Sequence, residues 1–489
     1  VPIVAVSTVI RGAAAQPRSE GADRVRRLPT RVRRVLLIVV IGQVMAMLDS
    51  TIVNVALRSL AVNMNTSITV IQWVVTAYLL SFAAVTPVSG WAAGRFGARR
   101  VYLYALALFT VGSLLCGIAR TPVEMIAFRV LQGAGGGLLV PVGQALLIRT
   151  AGKQRIARVM SLLGVPTVLA PICGPTVGGL LVDGPGWRWV FFVNVPIGVI
   201  AVVLARLMLP RVPSTDTEPL DRRGLVLVSA GLLGLIYGLT QVASTRHGLT
   251  SDVVIALAGG IVLLGAFVIH SLHSRHPLLS VRLYRDPTFA AASLSVFCIG
   301  AVLYGGTILM PLYYQQVRAL GATATGLLLA PGGIGGALAS LATGYLVERL
   351  GSGRTALLGA AAGVVAAVPF GFLTGHTPLV LLGLALAARG AAISLALMPS
   401  LTTAYQALAP SQINTATPQL TAVQRVGASL GVALFTVVLL DLLTTRGGGP
   451  ESLASAYAGT FWWVTGVATV AVAPAAFMVH CQRRRREVV

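Results

Sequence analysis

The chain has 489 residues, of which 56% are hydrophobic and 10% charged, with 37 Lys or Arg against 14 Asp or Glu. Soluble domains carry nearer ~25% charged residues, so this composition excludes an ordinary soluble enzyme or binding module and requires a polytopic membrane protein. A net charge of +23 would point to nucleic acid in a soluble protein, but here the basic residues gather in short loops between apolar runs, where they report topology instead.

Taken in order, residues 1–34 are an Arg-rich stretch with Gly, Pro and Ser, read as a disordered cytoplasmic arm. Fourteen apolar runs follow, at 35–57, 69–91, 101–119, 122–147, 158–181, 189–209, 224–243, 253–270, 288–312, 325–347, 355–374, 378–400, 417–441 and 458–479, numbered spans 1 to 14 below. Runs of about 20 apolar residues demand helices, and with 6% aromatic residues and no long alternating strands a β-barrel is excluded. Placing both termini in the cytoplasm puts 28 basic residues on that side and 6 on the other, with Arg129, Arg389 and Arg425 left inside spans. That asymmetry sets the orientation.

The loop after span 2, Gly90-Trp91-Ala92-Ala93-Gly94-Arg95-Phe96-Gly97, repeats after span 10 as Gly344-Tyr345-Leu346-Val347-Glu348-Arg349-Leu350-Gly351. The same turn at the same depth in two halves implies an internal repeat. The expected architecture is all-α, a polytopic bundle of 14 transmembrane helices. It divides into an N-terminal six-helix bundle (35–209), a linker with two extra central spans (210–287), a C-terminal six-helix bundle (288–480) and a basic cytoplasmic tail (481–489).

Of the 14 acidic residues only Asp49, in span 1, lies deep in an apolar run. An ionised Asp there costs at least ~2.5–3.5 kcal/mol unless it is protonated, paired or wetted, which makes it the candidate for taking up and releasing a proton. In span 4, Arg129, Gly133, Gly137 and Pro141 recur every four residues as one stripe, beside Gln132, and its small residues allow close approach of a neighbouring backbone. Arg129 and Asp49 lie about seven and eight residues from the outer ends of their spans, so at ~1.5 Å per residue their depths agree and they can pair. Burial and a neighbouring Arg act on the titration of Asp49 in opposite senses, which suits a proton carrier; the alternative is a permanent structural ion pair. Span 5 carries Gly164-Val165-Pro166 and then Ala170-Pro171-Ile172-Cys173-Gly174-Pro175-Thr176-Val177-Gly178-Gly179. Ala170, Gly174 and Gly178 form a close-packing row, while Pro171, Pro175 and Gly179 weaken the backbone ladder beside it, so a bent or hinge-like helix is expected.

These segments together resemble the major facilitator superfamily, and within it the fourteen-span drug:proton antiporters of the EmrB/QacA type. Leu48-Asp49-Ser50-Thr51-Ile52-Val53-Asn54 is similar to that family's first-span motif, Arg129 to Gly137 to its fourth-span motif, and Gly164 to Gly179 to its antiporter motif. Trp187 to Gly198 is similar to its usual approach to span 6. The resemblance implies alternating access of two bundles, a central drug cavity, and export driven by inward proton flow without ATP or cofactor. It assigns proton coupling to Asp49 and Arg129, and cytoplasmic gating to Gly90, Arg95, Gly97, Arg99, Glu348 and Arg349. Two positions depart from the pattern: Gly94 stands where the family normally has Asp, and Arg58 where its first-span motif usually ends in Pro. The missing acid at Gly94 predicts a resting state biased toward the inward-open form.

Asn54, Gln132, Arg389 and Arg425 are candidates for the substrate cavity or its gates. Arg389 is read equally as cavity lining or as a locally satisfied Arg. With one deep acid against three Arg, small neutral or weakly acidic amphiphilic drugs are favoured over quaternary cations. The expected partners are such a drug or antibiotic, protons and the lipid bilayer, with no nucleic acid, for a monomer in a bacterial cytoplasmic membrane. No Ser/His/Asp, metal or phosphate-loop arrangement speaks for an enzyme, and the four cysteines show no metal or redox spacing. A proton-coupled uptake symporter of the same fold and a non-transporting sensor or lipid-handling protein are the alternatives.

Overall fold

The computed structural model describes residues 28–210, 218–244, 250–445 and 449–487. The arm expected at 1–34 lies outside the described residues as far as residue 27, as do parts of the linker. Every long apolar run is helical, as it must be where no water is present to satisfy backbone N–H and C=O groups. Among the described residues 13 helices are long and apolar enough to cross a membrane, and 14 when the two parts of span 5, Lys153–Pro171 and Thr176–Asp183, which meet at 45°, count as one. The protein is thus an all-α polytopic membrane protein.

The helices overrun the apolar runs. Span 1 is Thr30–Asn63 and takes in the last residues expected to be arm; span 14, Pro450–Glu487, takes in the arginines of the expected tail. Hydropathy marks only the part of a helix inside hydrocarbon. The backbone ladder is satisfied internally and continues into the interface, where arginines extend their heads to water. Starts are fixed locally: Thr121 accepts from the Glu124 N–H at 3.2 Å ahead of span 4 (Pro122–Ala151), and Asp286 from Thr288 at 2.9 Å ahead of span 9 (Pro287–Gln316). Both helices begin with Pro, whose missing N–H has no partner to lose at that position.

The two cytoplasmic repeats share their backbone. Gly97 (φ 87°) and Gly351 (φ 89°) both leave the preceding helix in the left-handed region that only glycine enters freely. Each repeat also reaches across to the opposite half. Gly90, where span 2 ends, lies so close to the Asn414 carbonyl of span 13 (Ile413–Thr445) that a side chain would not fit, and Gly344 of span 10 (Ala322–Leu350) lies against Arg158 and Ser161 of span 5. Spans 5 and 10 meet along one side of the molecule through Gly164 on Ser340, Val168 on Gly336 and Thr176 on Gly326, with Ser340 donating to the Ser161 carbonyl at 2.9 Å. On the other side the extra hairpin, spans 7 (Arg222–Ser244) and 8 (Ser251–His273), packs beside spans 2 and 13. Ser229 donates to the Ala84 carbonyl at 2.7 Å, and Tyr237 stacks on Trp73 with ring centroids 5.9 Å apart.

Candidate functional site

Glycines of span 4 set its distance from its neighbours. Side chains at Gly133 and Gly137 would strike the carbonyls of Tyr78 and Phe82 in span 2, and one at Gly135 would strike Phe109 of span 3 (Ala98–Ile118). The small-residue stripe therefore brings span 2 against span 4, and Arg129 and Gln132 face span 1 in the space between.

Asp49 and Arg129 are both fully buried and form an ion pair, with Arg129 Nη1 donating to Asp49 Oδ2 at 2.6 Å. The other carboxylate oxygen accepts from Gln132 Nε2 at 2.8 Å and from Asn194 Nδ2 at 3.1 Å. Asn194 opens the main helix of span 6, Asn194–Met208, and its amide also donates to Ser113 Oγ at 3.2 Å. Arg129 is held from several sides: Nε donates to the Val74 carbonyl at 3.0 Å, Nη1 to Gln132 Oε1 at 2.8 Å, and the guanidinium lies over the Tyr78 ring at 4.1 Å. A buried ion pair is tolerated only when its remaining hydrogen-bonding capacity is met, and here three donors converge on one carboxylate. An ionised Asp49 keeps all three. A protonated one gives up the charge that holds the guanidinium.

An aromatic chain leads from this pair toward the other half. Tyr78 leans on Phe82, Arg425 of span 13 lies 4.6 Å above the Phe82 ring centroid, and the same guanidinium is 5.6 Å from the ring of Tyr304 in span 9. Tyr304 in turn reaches Met47 of span 1 at 3.7 Å. Arg425 is thus a cation shared by the two halves.

The other expected residues fall as follows. Asn54 is exposed in the outer half of span 1. Arg389, only 6% exposed, donates from Nη2 to the Val302 carbonyl at 2.8 Å and rests against Gly306, where a side chain would collide with it, while its buried Nε has no partner among the described residues, so its hydrogen-bonding capacity is met only in part. In span 5, Gly174 faces Thr51 and Gly178 faces Ile52, whereas a side chain at Gly179 would meet nothing within 4 Å. At the cytoplasmic loops Arg99 donates to the Arg206 carbonyl at 2.5 Å, inside its own half, Arg349 lies over Tyr345 at 4.4 Å, and Glu348 and Arg95 are exposed.

Asn194, Ser113 and Tyr78 were not singled out by the sequence reading. Asn194 carried a signal, an amide within the apolar run of span 6; Ser113 and Tyr78 had none, being ordinary residues of a membrane helix.

Residues 39–436 match the Major Facilitator Superfamily. A protein called multidrug resistance protein B homolog, from Mycobacterium tuberculosis, is 38% identical over 432 residues, covering 87% of this chain and 79% of its own. The MFS-type transporter YhcA of Bacillus subtilis is 30% identical over 411 residues, covering 84% and 77%. Among solved structures, the human organic anion transporter MFSD10 superposes with a TM-score of 0.62 at 16% identity, over 92% of this chain and 100% of that one. The proton:xylose symporter XylE gives 0.63 at 12% identity, over 91% and 94%. At such identities the two structures establish the fold alone. The family match and the identity to the bacterial relatives establish more: the chain belongs to the Major Facilitator Superfamily, as a multi-pass membrane transporter related to bacterial multidrug-resistance proteins, not an enzyme and with no bound cofactor.

Proposed function

We propose that this transporter exports small amphiphilic drugs or antibiotics across a bacterial cytoplasmic membrane in exchange for protons, with both termini in the cytoplasm. The N-terminal and C-terminal bundles, 35–209 and 288–480, alternate access, and the linker spans ride with the bundle pair. The observation that carries this reading is the fully buried Asp49, joined to Arg129, Gln132 and Asn194 by charge and hydrogen bonds. Proton arrival neutralises Asp49 and loosens the hold on Arg129. Because Arg129 lies on Tyr78, Tyr78 on Phe82, and Phe82 under Arg425, its displacement is felt where the halves meet. Return of Arg129 favours release of the proton on the other side. The direction of transport rests on the glycine and proline pattern of span 5, Gly164 to Gly179, and on the multidrug-resistance relative.

The test uses everted membrane vesicles under an imposed pH gradient. Asp49→Asn should reach the membrane in wild-type amount and lose substrate-driven proton release entirely, since an amide cannot take up and release a proton. Wild-type coupling in that variant would remove Asp49 from the mechanism. Substrate moving with the protons instead of against them would replace the antiporter by a symporter.

A further inference from the structure

A groove of about 1400 Å³ lies at the cytoplasmic ends of spans 1, 5, 6 and 10, away from the Asp49 site. Its position on span 5 shows which way it opens. Gly164 points inward, since a side chain there would strike Ser340 and Met398 of spans 10 and 12. At about 100° per residue, the span 5 lining runs from Ser161, roughly 60° around the helix from Gly164, through Val165 and Arg158 to Leu162 and Pro166 at roughly 160°, and Leu37, Leu341 and Tyr345 of the facing helices are exposed along the groove. The groove therefore faces the surrounding bilayer, not the path between the bundles.

Its two ends differ in chemistry. At the mouth stand Arg33 and Arg34 of span 1 and Arg158 of span 5, with Glu348 as the one carboxylate in the lining. Among the described residues none of these three arginines is in an ion pair. Deeper in, the walls are apolar, including Val40, Val165 and Leu341. These three lie nine or ten residues from the cytoplasmic ends of their helices, at Thr30, Ile156 and Leu350. That is roughly 15 Å along the helices; the part inside the apolar runs, which start at 35 and 158 and end at 347, is five to seven residues, about 8–10 Å of a ~15 Å leaflet.

A mouth with three arginines to one carboxylate, over an apolar cleft that enters the cytoplasmic leaflet, matches one kind of molecule, and we infer that the groove is a binding site for an anionic phospholipid of the cytoplasmic leaflet. The phosphate sits among Arg33, Arg34 and Arg158, and an acyl chain runs along Val40, Val165 and Leu341. The cytoplasmic leaflet carries the anionic lipids that basic interhelical pockets recognise. The chain's own residues before Leu28 are a poorer occupant, because they bring five arginines against Glu20 and Asp23, a net positive charge, to a mouth that is already basic. The inference draws on the reading that the termini are cytoplasmic only for the choice of leaflet, and it is independent of what is transported.

Native mass spectrometry of the full chain released from detergent tests it with dioleoyl-phosphatidylglycerol and dioleoyl-phosphatidylcholine. The expected result is at least a tenfold preference for phosphatidylglycerol. The preference should disappear in Arg33→Gln/Arg34→Gln/Arg158→Gln and remain in Arg483→Gln/Arg484→Gln. Val165→Trp, which leaves every charge in place and fills the cleft, should reduce phosphatidylglycerol binding by a similar factor. Equal retention of the two lipids, a preference that survives the triple substitution, or no effect of Val165→Trp would each overturn the site. Displacement of the lipid by millimolar inorganic phosphate would show a soluble-anion site and overturn it equally.

Discussion

At the residue scale the molecule depends on how completely one buried carboxylate is matched. Removing one member of a buried ion pair leaves an uncompensated charge and costs about 3–5 kcal/mol, whereas removing both charges is nearly neutral. Arg129→Ala should therefore lower the thermal midpoint in detergent sharply, and Asp49→Asn/Arg129→Gln should recover most of the loss while remaining inactive. If the double variant melts as low as Arg129→Ala, packing on Tyr78 and not charge sets the stability of the pair. The glycines of span 5 are separable in the same way. Gly174→Leu forces a side chain into Thr51 and Ile52 of span 1, an overpacking worth about 1–3 kcal/mol, and should stop transport. Gly179→Ala enters open space and should leave both stability and transport within error. Equal damage from the two would mean that the span needs flexible backbone more than a close approach.

At the element scale the notable feature is the fastening of the extra hairpin. Asp221 caps span 7 by accepting from the Gly224 N–H at 2.8 Å, and the same carboxylate contacts His270 Nε2 of span 8 at 2.9 Å and the Leu278 N–H at 3.2 Å. Burial pushes its pKa up, but the Gly224 amide, His270 and the Leu278 amide outweigh burial and hold it below the ordinary carboxylate value. A depressed native pKa contributes stability that is complete above the unfolded value, near ~3.9, and is lost as pH falls through the native one. Hydrogen exchange at Gly224 and Leu278, corrected for intrinsic rate, should thus stay flat from neutral pH to about pH 4 and rise below it. Asp221→Asn should exchange faster above about pH 4, converge with the wild type below it, and lose that acid step. A step that persists in the variant would belong to another carboxylate.

For the whole molecule, the cytoplasmic contacts between the halves include close uncharged ones. Gly90 lies on the Asn414 carbonyl, Gly344 lies on span 5, and Gly94 is itself buried in the turn of the first repeat. Gly90→Val should push span 2 from span 13 and raise the reactivity of a cysteine placed at Asn414 toward a cytoplasmic maleimide several-fold. Restoring the family's acid with Gly94→Asp gains at most the ~0–1 kcal/mol of a surface interaction, and the burial of this position sets a desolvation cost against it, beside the ~1.4 kcal/mol that shifts a two-state population tenfold. Its effect on the same cysteine should be the smaller of the two. A larger response to Gly94→Asp would show that charge, not the fit of Gly90, governs the gate.

The sequence by itself determined the properties that depend on local composition. Apolar run length gave the spans, the repeated glycine turn gave two related halves, and Asp49 was legible as a lone acid at depth because a charge in hydrocarbon needs a reason to be there. Matching depth also predicted the pairing with Arg129. Tertiary structure alone decided which faces meet. Nothing in span 6 announces that Asn194 reaches Asp49 across 145 positions of sequence, and nothing in span 12 says that Arg389 turns to a carbonyl of span 9. The helical period identifies the faces of one helix but carries no information about its neighbours. For the same reason the groove over span 5 was invisible in the chain: its lining comes from four helices, and only packing places them around one space.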